Sequence, residues 1–399
     1  MEVTANIALK PKKTRSIQRF HPWIFSGAIA FIDGEPENGD FVQVTDTKGK
    51  ILGHGFFTPD ASIAVRMTHF GKEKVIERWW HERLQRAYDL RNDLGFVANA
   101  ETTAYRLIHG EGDGFPGLII DHYDGVLVMQ VHAPGMWMIK DELVASLVEI
   151  YGDNLKAVYN KSRDTLPNAE AMQVENYYAH GSDSALAKMT AKEYGLEFNI
   201  DWEKGQKTGF FIDQRENRKL LGDLSKGKKV LNTFSYTAGF SVFALQAGAT
   251  LVHSLDSSAR ALEVGENNVA LNSLDDGRHK SIQADAVQYL KQLEEDYDII
   301  VLDPPAFAKH QRARHRAVQG YKRINMQAIK HIKPGGLIFT FSCSQAVDKE
   351  LFNNTVIASA IEAGRKVRIL HQLHQPADHP VNAFHPEGEY LKGLVLRVD

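Results

Sequence analysis

The side chains best equipped for chemistry are an acid before two prolines and an aromatic, Asp303-Pro304-Pro305-Ala306-Phe307, and Cys343, the single cysteine of 399 residues. Asp303 ends the apolar run from Tyr297, and two prolines cannot continue a strand ladder. A carboxylate at such an edge, beside stiff backbone and Phe307, suits a site that grips a planar group, because open α/β sheets bind ligands at strand carboxyl ends. Cys343 closes a second apolar run, GGLIFTFSCS from Gly335. A lone cysteine is ordinarily a small core hydrophobe. At a strand's carboxyl end, beside a D-P-P turn, it becomes a candidate nucleophile. Asp256 and Asp285 are two further acids expected at strand ends, where Asp256 would reach ribose hydroxyls and Asp285 an adenine edge, although each alone is more often a helix cap than a ligand. The turn NTFSYTAGF from Asn232 has one glycine, Gly239, and fails the dinucleotide pattern G-x-G-x-x-G. Ribose and adenine contacts without a phosphate cradle point to S-adenosyl-L-methionine rather than a nicotinamide.

These residues need a sheet to hold them. After about Lys192 the chain alternates strand and helix: strands end at Asn232, Asp256, Asp285, Leu302 and Cys343, and helices run from Ser241 to Ala247, from Ser257 to about Asn272, from Asp285 through Glu295, over a basic stretch to about Ile332, and from Lys349 to Ala363. Such alternation predicts a doubly wound α/β sheet, and a final pair of strands, Val367 to Leu373 and Gly393 to Val398, predicts an antiparallel edge. Residues 1–72 read as a small β domain, with short runs at Val42 to Thr45, Ile51 to Gly55 and Ile63 to Met67. Residues 73–191 read as a connector helix to about Leu94, with a stripe of Ile76, Trp80, Leu84, Ala87, Leu90 and Leu94, followed by a small α+β unit. Residues 192–399 form the doubly wound domain.

A net charge of −3 argues against an indiscriminate polyanion binder, but from Pro304 to Lys333 there are eight basic and no acidic residues. That segment, with Lys309, Arg312, Arg314 and Arg316 nearest the D-P-P turn, is a candidate RNA track. Phe307 and Tyr321 are candidate stacking surfaces, or core aromatics. Lys10, Lys12, Lys13, Arg15 and Arg19 lead into His21-Pro22-Trp23-Ile24-Phe25. This fits phosphate and base contacts through Lys12, Arg15, Arg19 and Trp23, or a solvated arm with Trp23 and Phe25 in the core. No metal is expected. Glu111, Asp113 and Asp121 lie among glycines as turn formers. The run from His371 to Tyr390, with four histidines near Asp378 and Glu387, lacks the helix context of a zinc motif and reads as a loop shaping the target pocket. One cysteine leaves no internal disulfide, and neither a secretion signal nor an apolar run of about 18 residues is evident, so a cytoplasmic protein with no membrane segment is expected.

Seven stretches together, HPWIFSGAI, YRLIHGEGDGFPGLIID, KTGFFIDQRENR, VLNTFSYTAGF, DPPAF, FSCS and ADHPVNAFHPEGEYLKG, resemble the bacterial large-subunit ribosomal RNA methyltransferases of the RlmI type, nearly end to end. The resemblance implies an N-terminal PUA domain, a central α+β domain and a class I methyltransferase domain that makes 5-methylcytosine in 23S rRNA, often as a homodimer. It implies cofactor contacts from Phe210, Asp213, Gln214, Arg215, Asn217, Asn232, Ser235, Tyr236, Gly239, Asp256, Asp285 and Asp303, with Cys343 as nucleophile. Many RNA cytosine-C5 methyltransferases outside this group carry a second cysteine after the two prolines, where this chain has Ala306. Guanine-N7 or adenine-N6 chemistry, and a non-catalytic RNA-binding module, remain alternatives at this stage.

Overall fold

The computed structural model describes residues 1–182, 189–308 and 311–399. The chain divides into two compact units, the first built from Met1–Ala191, Ile200–Ile212 and Ala377–Gly388, the second from Lys192–Asn199, Asp213–Pro376 and Glu389–Asp399.

The first unit carries two sheets. One has six strands, β1 (Asn6–Leu9), β2 (Trp23–Phe25), β3 (Ile29–Asp33), β4 (Phe41–Asp46), β5 (Ile51–Phe57) and β6 (Ile63–Phe70), in the order β2-β6-β5-β4-β1-β3. The basic N-terminal stretch is folded rather than a free arm. It forms a 3-10 turn, Pro11–Lys13, and helix α1 (Thr14–Gln18), which bury Thr14 and Ile17 and leave Lys12, Arg15 and Arg19 exposed. In β2 the alternation of a strand puts Ile24 in the core and turns Phe25 out, so the expected core alternative fails for Phe25.

Helix α2 (Trp79–Asp93) starts later than the sequence pattern predicts. Ile76, Leu90 and Leu94 are exposed, and the buried stripe is Trp80, Leu84, Ala87 and Arg91. Arg91 can lie on that face because both its terminal nitrogens donate to the Asp113 carboxylate, at 2.5 and 2.8 Å. The second sheet, β7 (Ala104–His109), β8 (Leu118–Tyr123), β9 (Val126–Val131), β10 (Ala157–Asn160) and β11 (Tyr177–His180), runs in the order β11-β10-β9-β8-β7. Helices α3 (Pro134–Met138) and α4 (Lys140–Tyr151) pack with it, and one core joins this sheet to Phe41 and Phe56 of the first. Of the three acids read as turn formers, Glu111 and Asp113 do lie in a 3-10 turn, Gly110–Asp113, whereas Asp121 is in β8, and all three also hold distant partners. Asp113 holds Arg91, Asp121 accepts from Arg106 at 2.7 and 2.9 Å, and Glu111 accepts from the Trp23 indole at 2.7 Å. Among the described residues no group of His, Cys, Asp and Glu is arranged to hold a metal.

After the hairpin β12 (Thr190–Glu193) and β13 (Leu196–Asn199), and helix α5 (Arg215–Asp223), comes the large sheet. Its strands are β14 (Lys229–Thr233), β15 (Leu251–Asp256), β16 (His279–Gln283), β17 (Ile299–Leu302), β18 (Gly336–Ser342), β19 (Val367–Leu373) and β20 (Lys392–Val398). The order is β16-β15-β14-β17-β18-β20-β19, parallel except at β20, which pairs antiparallel with both neighbours. Helices α6 (Gly239–Gln246), α7 (Ala259–Leu271), α8 (Ala286–Tyr289), α9 (Arg314–His331) and α10 (Lys349–Glu362) connect the strands. All four residues of β17 are buried, as expected of an interior parallel strand covered on both faces. The strand order reverses between β14 and β17, and a crevice opens at the carboxyl ends of strands at such a switch point.

Three expectations need correction here. The third strand stops at Gln283, and Asp285 is the exposed N-cap of α8, accepting from the Gln288 amide at 2.8 Å. That helix ends at Tyr289 rather than Glu295, because Glu294, Glu295 and Asp296 would place acids at the negative end of its dipole. Tyr321 lies on the buried stripe of α9 with Ala317, Ile324 and Ala328, fully enclosed, so it is a core aromatic and not a stacking surface.

Candidate active site

Strands β17 and β18 are hydrogen-bonded neighbours with Leu302 opposite Thr340, so their carboxyl ends deliver Asp303 and Cys343 to the same edge. The D-P-P loop then closes onto β18. The Ala308 amide donates to Ser344 Oγ at 3.4 Å, and the buried Tyr321 hydroxyl lies 2.8 Å from the same oxygen. Ser342 and Ser344 are buried, and the thiol between them is half-buried. Phe307, partly buried, packs its ring 4.8 Å from Tyr321.

The electrostatics of this edge are unusual for an acid and a thiol. Burial, and then the Asp213 carboxylate, push Asp303 up to about 7, while Arg218 and a hydrogen bond from the Gln214 side chain hold it down. Asp303 is thus protonated for part of the time near neutrality, able to donate as well as accept. Burial, followed by Asp303 and Asp213, raises the Cys343 thiol to about 11. The cation acting in the opposite direction is Lys392, the first residue of β20.

The residues preceding the sheet hold one another in place. Asp213 accepts from the Tyr390 hydroxyl at 2.7 Å, and Asn217 donates to Gln214 Oε1 at 2.7 Å. Arg215 is fully buried, its Nε 3.1 Å from Glu216. Arg218 makes a two-pronged pair with Glu193, at 2.9 and 2.7 Å. Phe210 falls in the first unit, where its carbonyl accepts from Tyr123. Asp285, capping α8, is two residues beyond its strand.

The turn between β14 and α6 has the character of a ligand cradle. Phe234, Tyr236 and Ala238 all take left-handed backbone, at φ of +54°, +47° and +62°, a strained arrangement for residues with a Cβ. Asp256, closing β15, receives the Tyr236 amide at 3.0 Å and the Ser258 amide at 2.9 Å. Asn232 donates to Ser241 Oγ at 3.0 Å, yet Asn232 Oδ1, Ser235 Oγ and Thr237 Oγ1 are buried with no hydrogen-bond partner. Gly239 opens α6. Buried polar atoms left unpaired are costly. Together with a strand-end acid, they fit the ribose and amino-acid portions of S-adenosyl-L-methionine.

The RNA-facing candidates separate into two groups, one on each unit. Lys12 and Trp23 line a cavity of about 440 Å³, with Lys13, Ser16, Phe25 and Gly27; Arg15 and Arg19 are exposed on α1 and just beyond it but do not line it. The Trp23 ring also packs 4.3 Å from His385. Arg312, Arg314 and Arg316 are exposed at the start of α9, with Arg314 3.4 Å from Asp348, whereas Lys309 lies outside the described residues. The basic segment is not one continuous track. Lys322 pairs with Glu362 at 2.6 Å, and Lys333 pairs at 2.6 Å with Asp298, before the amino end of β17 and therefore at the opposite edge of the sheet.

Tyr390 and Lys392 lie in a stretch whose sequence gives neither a role. A lysine opening an otherwise apolar strand, Lys392-Gly393-Leu394-Val395, was the signal available.

A family model described as S-adenosylmethionine-dependent methyltransferase matches residues 105–396, and one described as a PUA-like domain matches residues 7–70. A protein of Shewanella denitrificans described as ribosomal RNA large subunit methyltransferase I is 40% identical over 397 residues, covering 98% of this chain and 99% of its own. A protein of Alteromonas mediterranea with the same description is 38% identical over 400 residues, covering 99% of each. Among solved structures, a putative S-adenosylmethionine-dependent methyltransferase from Streptococcus mutans matches with a TM-score of 0.83 at 24% identity, covering 98% of this chain and 99% of that one. Another, described as a putative methyltransferase complexed with SAH, matches with the same score, and both likenesses speak to the fold.

Proposed function

The chain belongs to the family of ribosomal RNA large subunit methyltransferase I and is an S-adenosylmethionine-dependent methyltransferase, and on that premise we propose that it methylates C5 of a cytosine in 23S rRNA through a Cys343 adduct. The observation that carries this reading is Cys343 on the strand end adjacent to Asp303. Cytosine C5 is a poor nucleophile, and a thiolate adding to C6 pushes electron density onto it. Asp303, held near neutrality, hydrogen-bonds N3 and the exocyclic amine and stabilises the charge that appears in the ring. S-adenosyl-L-methionine supplies an electrophilic methyl group. With the methyl bonded to C5 and its former bond pair left on the departing thioether, loss of the C5 proton to solvent re-forms the C5–C6 double bond as the C6–S bond breaks and the electron pair returns to the Cys343 sulfur. Asn232, Ser235, Tyr236, Gly239 and Asp256 hold the cofactor, with Asp213, Gln214, Arg215 and Asn217 shaping the adjoining wall. Nitrogen methylation of guanine or adenine needs no thiol.

Reaching C6 requires an unstacked base, and the RNA contacts fall to Lys12, Arg15, Arg19 and Trp23 on one unit and Arg312, Arg314 and Arg316 on the other. No described helix is long and apolar enough to cross a membrane, and a cytoplasmic site of action is part of the reading. So is a homodimer, for which the edge strand β19 offers exposed Ile369 and Leu370, and sedimentation velocity measures it. The deciding experiment uses RNA with 5-fluorocytosine at the target. Fluorine cannot leave as the C5 proton does, so a covalent, methylated complex should accumulate, survive denaturing electrophoresis, require S-adenosyl-L-methionine, and be absent in Cys343→Ala. A parent enzyme that methylates ordinary RNA but never traps would remove the C5 mechanism.

A further inference from the structure

We propose that Lys392 is a positioning residue that supplies the counter-charge for the Cys343 thiolate as it forms. The inference deepens the cytosine-C5 reading and takes its purpose from it. The antiparallel register of β20 on β18 sets Lys392 opposite Ser342, the last residue of β18. From there its side chain reaches along the strand end, and Nζ donates to the Ser344 carbonyl at 2.9 Å. Cys343 is the residue between those two anchor points. Lys392 is 5% exposed, and among the described residues no carboxylate lies within 4 Å of its ammonium. A buried ammonium held by one neutral oxygen is a poor structural device. It is a good one if an anion forms beside it.

Two carboxyls facing the sulfur oppose that anion, while the Cys343 backbone amide favours it, and a neutral phenol stands near. Asp303 from the end of β17 and Asp213 from the segment before α5 are acidic, and Tyr321 on α9 is a phenol. The groups facing Lys392 are Cys343 itself, Glu389 and Asp348, and burial outweighs them in lowering its pKa to about 8. Ionisation of the thiol sends its proton to solvent, leaves the electron pair on sulfur and leaves Lys392 protonated. Each of the two ions relieves the desolvation of the other.

Because the chain has one cysteine, alkylation by iodoacetamide reports on Cys343 alone and needs no RNA. In the full-length protein, Lys392→Met should slow alkylation near neutral pH by about tenfold, the change expected if the thiol midpoint rises by one unit. Lys392→Arg, which keeps the charge, should retain most of the parental rate. Unchanged thermal unfolding and S-adenosyl-L-methionine affinity certify the fold of each variant. A rate-against-pH curve for folded Lys392→Met that superimposes on the parent overturns the proposal. Should Lys392→Met not fold, Lys392→Gln, which keeps a donor for the Ser344 carbonyl and removes the charge, takes its place, and a parental rate-against-pH curve in that folded variant overturns the proposal. The two readings fail separately. A shifted thiol curve without trapping on 5-fluorocytosine RNA sinks the base chemistry and leaves the Lys392–Cys343 pair standing. Trapping with an unshifted curve does the reverse.

Discussion

At the residue scale, Asp303 is a carboxyl kept near neutrality by its surroundings, and this has a consequence for stability. Its folded pKa, about 7, lies above the ordinary 3.8, so the folded state binds its proton more tightly than the unfolded state does. The stabilising contribution is complete below pH about 4 and is lost as pH rises through about 7. Asp303→Asn, which cannot ionise, should therefore unfold at a higher temperature than the parent at pH 8 and lose that advantage in acid, while methylation falls steeply. Thermal melts at the two pH values check the sign, and a variant less stable than the parent under alkaline conditions contradicts it. Asp256 bonds two backbone amides on either side of the proposed ribose site. Asp256→Ala should weaken S-adenosyl-L-methionine binding by about 1.5 to 3 kcal/mol, the scale of a lost hydrogen bond to a charged group. Calorimetry finding the parental affinity in a folded variant would take Asp256 out of the site.

At the element scale, α9 is the helix whose two ends do different things. Its 18 residues span about 27 Å. The amino-terminal end follows the D-P-P loop and presents Arg314 and Arg316, with Arg312 just ahead. Near the other end Lys333 is neutralised by Asp298, and its neighbour Lys330 is exposed. Reversing Arg312, Arg314 and Arg316 to Glu should raise the RNA dissociation constant and flatten its dependence on salt, because fewer counterions are released on binding. Lys330→Glu should leave the salt slope at the parental value. Filter binding across a salt series measures both, and equal slopes for the two variants would mean that the start of α9 does not face RNA.

At the scale of the whole molecule, the units are assembled from pieces distant in sequence. Ala377–Gly388 belongs to the first unit although it sits between β19 and β20. Its anchors are polar and tight: Asp378 Oδ2 accepts the Arg106 amide at 2.9 Å, and the Asp378 carbonyl accepts from buried Arg91 at 2.8 Å. Gly112 is the contact that tolerates no side chain, since a Cβ there would lie 1.9 Å from the Pro380 carbonyl oxygen. Gly112→Ala should destabilise the protein by about 1 to 3 kcal/mol, the scale of overpacking. It should also expose the 377–388 segment to protease. Urea denaturation and limited proteolysis read the two effects, and parental values in both would mean that the segment relaxes at no cost.

Much of this was legible in the sequence because it depends on local chemistry. Strand and helix alternate with a regular apolar period, so the doubly wound sheet and its antiparallel edge followed from the pattern alone, and Asp303 and Cys343 were placed at strand ends by the prolines and the polar residues that stop their strands. What needed tertiary structure was pairing between groups far apart in the chain. A charge count over Pro304 to Lys333 cannot know that Asp298 and Glu362 neutralise part of it. Spacing assigned Leu90 to the core of α2, and only partners distant in the chain, Asp113 with the Arg106 and Asp378 carbonyls, let Arg91 take the buried face. Lys392 is 49 residues from Cys343, and its one local signal, a lysine opening an apolar strand, does not say what its ammonium meets. The antiparallel return of β20 sets Lys392 opposite Ser342 and puts its buried ammonium on the Ser344 carbonyl, because strand register, unlike strand propensity, is set by the partner strand.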